Sequence, residues 1–235
     1  MAKIKEKDRA IKLRQQGNSV NEIAQKLNTP KSTVSQWCRN ILLNKKQIKR
    51  LIEKQKSGSY KGRIKFLERT RKRRIEEIKK LKKEGLKEIG RISKRDLFIA
   101  GIAMYWSEGY TYSGGDQVGF TNSDPKMILF MLRWFKEICK IPSERFSLQI
   151  KINKIHKSRI KKVEYYWSKL TQVPINQFNK SILIKSNAKK IYSNIDSHYG
   201  TLRITIHQGT QLRRKIYGWI EGLVKKNISQ GSSVG

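Results

Sequence analysis

The sequence predicts an α+β fold with an all-α module at its start, and three observations carry that reading. Before residue 43, apolar residues recur at helical spacing in three short runs broken by turn residues. Residues 44–95 are dominated by Lys and Arg, with apolar residues at roughly helical spacing. From residue 96 onward, helical patterns alternate with runs of period two, the signature of strands mixed with helices. The expected layout is 1–43 for the first module, 44–95 for a basic helical linker, 96–226 for the mixed domain and 227–235 for a disordered tail ending Gly-Ser-Ser-Val-Gly.

Charge bounds the function before any motif does. The 235 residues hold 53 Lys and Arg against 18 Asp and Glu, a formal net charge of +35. Solubility does not need so large an excess, and it points to a polyanionic partner. Double-stranded DNA is the expected one, with RNA as an alternative and an anionic membrane surface as a lesser one. No apolar run reaches the roughly 20 residues of a membrane span, and the basic N-terminus has no apolar signal core. Cys38 and Cys139 are isolated and His156, His198 and His207 show no ligand spacing, so neither a zinc site nor disulfides are expected. The expected location is cytoplasmic, with the nucleoid.

In the first module, Lys5–Gln16 carries Ala10, Ile11 and Leu13 and stops at Gly17. Ser19 with Glu22 forms a capping-box pattern that opens a second helix with Val20, Ile23, Ala24 and Leu27 inward. Thr29 is expected to cap a third helix, with Pro30 in its first turn and Val34 and Trp37 buried. Small Ala24, turn residue Asn28, then Val34 and Trp37 is helix-turn-helix spacing. The outward residues of the third helix, Lys31, Ser32, Thr33, Ser35, Gln36 and Arg39, are short polar or basic and suit a major groove. Over about forty residues this resembles the helix-turn-helix of the resolvase and transposase group.

The next segment holds Lys45, Lys46, Lys49, Arg50 and Lys54, a break expected near Gly58 and Gly62, and the runs Arg69–Arg74 and Lys79–Lys83. It reads as a basic amphipathic helix that follows phosphates, or as a solvated linker.

In the mixed domain, Asp96–Glu108 reads as a helix that carries no charge from Leu97 to Ser107. Ala100, Ala103 and Ser107 form one strip of small side chains that would let another helix approach closely. Gly109 is expected to end the helix and leave Glu108 at its exposed end. A strand, a glycine turn and a second strand near 117–121 should follow. Then come a helix at 125–140, strand 146–152, helix 159–171, strand 180–185, strand 201–207 and helix 210–225. Helices on one face of this sheet would leave the other polar, with Gln117, Thr121, Gln149, Lys151, Asn153, Arg203, Thr205 and His207 available to DNA.

Gly101-Ile-Ala-Met-Tyr-Trp-Ser-Glu-Gly109, with the elements that follow, resembles the LAGLIDADG motif and αββαββα unit of homing endonucleases over residues 96–225. Trp106 stands where that family usually has a middle acid. The resemblance implies that two motif helices pack side by side through Ala100, Ala103 and Ser107. It also implies that Glu108 is catalytic and holds Mg²⁺ or Mn²⁺ at the scissile phosphates. Lys151, Lys185 and Arg203 are candidates for the basic residue that completes such a pocket. With a single motif copy and no internal repeat seen, an active site would need two chains, hence a homodimer on a roughly two-fold DNA site. The expected function is sequence-specific cleavage of DNA, or, on the same scaffold, non-catalytic regulation of transcription.

Overall fold

In the computed structural model the described residues are 2–55, 58–110, 117–185 and 198–231. The chain divides into two compact units, one ending at Gly90 and one beginning at Arg91.

The first unit is all helical: α1 (Ala2–Gln15), α2 (Val20–Lys26), α3 (Lys31–Trp37), α4 (Lys45–Gln55) and α5 (Gly58–Ile89). Ser19 and Glu22 close a reciprocal capping box at the start of α2. Asn28 takes φ +45°, the left-handed conformation that an Asn tolerates in the turn. Pro30 and not Thr29 occupies the N-cap of α3, without a side-chain cap, and the Thr29 hydroxyl donates to the Leu27 carbonyl instead. Ala10, Ile23, Ala24, Val34 and Cys38 form the core of this trihelical module, with Trp37 packed at its edge.

The basic segment forms α4 and α5, which pack on each other within the first unit. Leu43, Leu51 and Ile64 make a second small core joining α4 to the first turns of α5. Gly62, where a break was expected, lies inside α5 with open space around it.

The second unit runs α6 (Lys94–Glu108), β1 (Val118–Asn122), α7 (Pro125–Glu137), β2 (Phe146–Asn153), α8 (Ile160–Thr171), β3 (Phe178–Ile184), β4 (Thr201–Ile206) and α9 (Thr210–Gly231). The sheet order is β1-β4-β2-β3. β4 is antiparallel to both β1 and β2, whereas β3 runs parallel to β2. The parallel pair follows from α8, which carries the chain back across the sheet between β2 and β3. An αββαββα order has no helix at that point. The expected strand before residue 117 falls in 111–116, outside the described residues, as does the tail from 232. Residues 227–231, expected in that tail, continue α9.

One local plan occurs twice in this unit. After a helix comes a residue at φ +57° (Lys140, three residues past α7, then Gln172, the C-cap of α8), a buried aliphatic follows (Ile141, then Val173), and a proline opens a 3-10 turn that leads through Phe146 or Phe178 into a strand. A short sequence repeat, an aliphatic residue and Pro with Phe four positions after the Pro, thus leads into both strands of the parallel pair β2–β3. The core is continuous from α6 and α7 through the alternate residues of β1, β4 and β2, with Trp134, Trp167, Tyr105, Phe120 and Phe135 its largest buried side chains.

Candidate nucleic-acid interface

In the first unit the expected reading residues divide between two surroundings. Lys31, Ser32, Ser35, Gln36 and Arg39 are exposed, whereas Thr33 is half-buried. Lys31, Ser32 and Ser35 line a cleft of about 460 Å³ whose other walls include Arg63, Ile64 and Leu67 of α5. Gln36 and Arg39 lie outside that cleft.

The position of α5 along the module comes from a single acid in its basic run. Glu68 accepts from Arg14 at 2.5 Å, from the Leu43 backbone N–H at 3.0 Å and from Arg71. Burial pulls the Arg14 pKa down, against the neighbouring Glu68 that raises it. Further along, the Arg74 guanidinium donates to the Arg39 carbonyl at 3.0 Å and to the Asn40 side chain. On α4, Gln47 and Arg50 donate to the Gln15 and Gly17 carbonyls at 2.9 and 3.0 Å. The sequence reading missed these roles, and the one signal was an isolated Glu among eight Lys and Arg between residues 58 and 74. What remains outward on this half of α5 is Lys61, Arg63, Lys65, Arg69, Lys72 and Arg73, all exposed. Such a row can follow a phosphate backbone.

In the second unit, α6 opens on a capping box, Ser93 with Asp96, that the sequence reading overlooked. The helix buries Leu97, Gly101, Ile102 and Tyr105. Gly101 is where α7 closes in, because a Cβ there would stand 1.9 Å from the Trp134 ring. Burial raises the pKa of Tyr105, whose hydroxyl donates to the Tyr110 carbonyl at 3.2 Å. Ala100, Ala103, Ser107 and Glu108 are exposed, as is Trp106 at 52%. Tyr105 and Trp106 therefore separate, the first into the core and the second toward solvent. Gly109 ends the helix in extended conformation, φ −77°, and not in the left-handed one. A glycine is required there by space, since a Cβ would meet the Tyr105 carbonyl at 2.4 Å.

Glu108 makes no ion pair or hydrogen bond among the described residues. Most other described acids after it are engaged: Asp124 caps α7 through the Lys126 N–H, Glu137 pairs with Arg133, Glu164 accepts from Ser181 and Glu221 pairs with Lys225. Asp116 and Asp196 lie outside the described residues.

Gly109 pairs with Phe120 as an isolated bridge, so the foot of α6 meets the edge of β1. Tyr110 then lies on Gly119, where a Cβ would come within 2.3 Å of its ring, and the Arg203 guanidinium stands 5.4 Å from that ring's centroid. Across the sheet, Thr121, Arg203 and Gln149 are in register on the face away from the core. Gln117, Lys151, Arg203 and His207 are exposed there, and Thr121, Gln149 and Asn153 are half-buried. Thr205, expected to be available, is only 6% exposed between its neighbours on β1 and β2. Among the described residues the Tyr110 hydroxyl and the Thr121 Oγ1 are buried without a hydrogen-bond partner, so this face holds unmet polar capacity. Lys185 is exposed just beyond β3.

A helix-turn-helix domain that binds DNA is the class this N-terminal geometry defines. Residues 4–52 match the family described as the CENP-B N-terminal DNA-binding domain, which covers α1 to α3 and most of α4. No curated protein and no solved structure matches the chain. No helix among the described residues is long and apolar enough to cross a membrane.

Proposed function

We propose that the protein is a sequence-specific duplex-DNA-binding protein that acts as a homodimer and cleaves phosphodiester bonds with Mg²⁺ or Mn²⁺. Base reading is assigned to α3 through Ser32, Ser35, Gln36 and Arg39, with phosphate contacts from Lys31 and the basic half of α5. The sheet face carrying Thr121, Gln149, Lys151, Asn153 and Arg203 is a second surface for nucleic acid.

The observation that carries the nuclease reading is the state of α6. Its small residues Ala100, Ala103 and Ser107 and the unpaired acid Glu108 are all exposed on a helix uncharged from Leu97 to Ser107. A second copy packed on this strip would bring two Glu108 carboxylates near one another. Mg²⁺ is commonly held by one or two carboxylates, with phosphate oxygens and water completing the shell. Among the described residues no three His, Cys, Asp or Glu cluster for a metal, so one chain provides only Glu108 and a pair of chains provides two. A bound ion would neutralise the scissile phosphate and lower the pKa of an attacking water. Glu108 would be its ligand, and Arg203 and Lys151 would hold the phosphate backbone.

The test is nicking of supercoiled DNA that carries a selected binding site, with Mg²⁺. Glu108→Gln should lose cleavage by about a hundredfold or more while binding is kept. Tight, site-specific binding with no cleavage by the wild type in Mg²⁺ or Mn²⁺ would establish the second reading, a non-catalytic regulator. What favours that second reading is the lone carboxylate, since Asp124, the next described acid after it along the chain, is occupied as a helix cap.

A further inference from the structure

The helix α5 changes character at its middle. Residues 58–74 hold eight Lys and Arg against one Glu, whereas residues 75–89 hold five Lys against four Glu. In a chain of net charge +35, that second half is nearly balanced. It also carries the largest exposed aliphatic row of the first unit. Ile78 is 49% exposed, Leu81 58%, Leu86 69% and Ile89 68%, continuing the half-buried Ile75. These residues extend the same helix face whose earlier turns, through Tyr60 and Ile64, pack on α4. The packed face therefore goes on for four more turns with nothing among the described residues covering it. Exposed aliphatic rows of this kind mark an interaction surface.

The flanks of the row indicate what covers it. Glu77, Glu84 and Glu88 recur at seven and four residues along one side. Lys72, Lys79 and Lys83 recur at the same intervals along the other. A second α5 laid parallel against the row sets the acidic flank of each helix beside the basic flank of its twin, twice over, by the two-fold relation of the pair. The pattern is thus complementary to itself. Four Glu in fifteen residues disfavour a phosphate surface, whether nucleic acid or lipid, and phosphates offer nothing to the aliphatic row. Lys82 falls within the row, where its stem can lie along apolar surface with the ammonium outward. Gly85 falls there too and leaves room for close approach, with no atom within 4 Å of where its Cβ would be.

We infer that residues 75–89 of α5 are a self-association helix, paired in parallel with the same segment of a second copy. The pairing stands on its own residues and is independent of any packing through α6.

Sedimentation of the full, DNA-free chain tests it at about 0.15 M salt, where charges still interact over roughly 8 Å. The wild type should be dimeric. Leu81→Glu with Leu86→Glu should raise the dimer dissociation constant by about tenfold or more, and circular dichroism would show that the helices persist. Two charge-swapped chains, Glu77→Lys with Glu84→Lys and Lys79→Glu with Lys83→Glu, should each pair poorly alone and recover dimerisation when mixed. A monomeric wild type, a dimer indifferent to Leu81→Glu with Leu86→Glu, or swapped chains that fail to recover on mixing would each overturn the inference. Ala103→Glu, which blocks the α6 strip, tests the other pairing and should leave the recovery between swapped chains unchanged.

Discussion

Glu68 ties α5 to α1 and to the segment before α4, through Arg14 and the Leu43 N–H. Arg14 is only 4% exposed, and its guanidinium has Glu68 as its one ion-pair partner among the described residues and the Asn18 carbonyl as a second acceptor at 3.1 Å. Removing one partner of a buried pair leaves an uncompensated charge, which costs about 3–5 kcal/mol, far above the worth of a surface pair. Glu68→Ala should therefore destabilise the first unit by that order in urea denaturation, whereas Lys72→Ala, losing only the exposed pair with Glu76, should change it by less than about 0.5 kcal/mol. In the second unit, His156 is buried, its ring 5.3 Å from that of His198 and its Nδ1 3.3 Å from the Arg159 guanidinium. Burial first, then His198 and Arg159, lower its pKa in the native state. The unfolded chain then takes up a proton near pH 6.5, the ordinary histidine value of about 6.5, while the native chain resists it. Stability of this unit is fully present above that pH and should fall as pH drops below it. His156→Gln should flatten the dependence in thermal melts taken between pH 7.5 and pH 5.

At the scale of elements, α5 departs furthest from a simple linker. A glycine inside an exposed helix costs about 0.5–1 kcal/mol against alanine, and nothing lies within 4 Å of a Cβ at Gly62. Gly62→Ala should raise the denaturation midpoint of the first unit by a corresponding amount; a loss of stability would mean that the helix bends or is approached at that point. How far the sequence could be read also separates by element. Caps and periodicity are local, so the turn at Asn28, the capping box at Ser19 and the order of helices and strands after residue 117 were all legible. Sheet neighbours are not local. Alternation tells which residues face the core, but it does not say that β4 lies between β1 and β2 or that α8 makes β2 and β3 parallel. The same limit hid the pairing of His156 with His198, 42 residues apart, and the seating of Tyr110 on Gly119. Gly101 was read only as part of a motif, whereas its physical task is to receive Trp134. Thr205 followed the alternation onto the open face yet is covered by its neighbours across the strands, because a small side chain on a central strand has little reach.

For the whole molecule, the excess of 53 basic over 18 acidic residues sets how binding responds to salt. Each phosphate neutralised adds about −0.9 to the slope of log affinity against log salt on duplex DNA. If the basic half of α5 follows the backbone, Arg63→Gln, Arg69→Gln and Arg73→Gln together should make the slope shallower by about 2–3, nearly alike for specific and unrelated duplexes. Ser35→Ala with Gln36→Ala should do the opposite, leaving the slope in place and narrowing the gap between selected and random sites, since base contacts discriminate and phosphate contacts do not. Filter binding at several salt concentrations measures both quantities at once. An unchanged slope in the arginine variant would remove α5 from the DNA and leave its charge a solvated face. An unchanged preference in the α3 variant would move sequence reading away from the helix-turn-helix and onto the sheet face of the second unit.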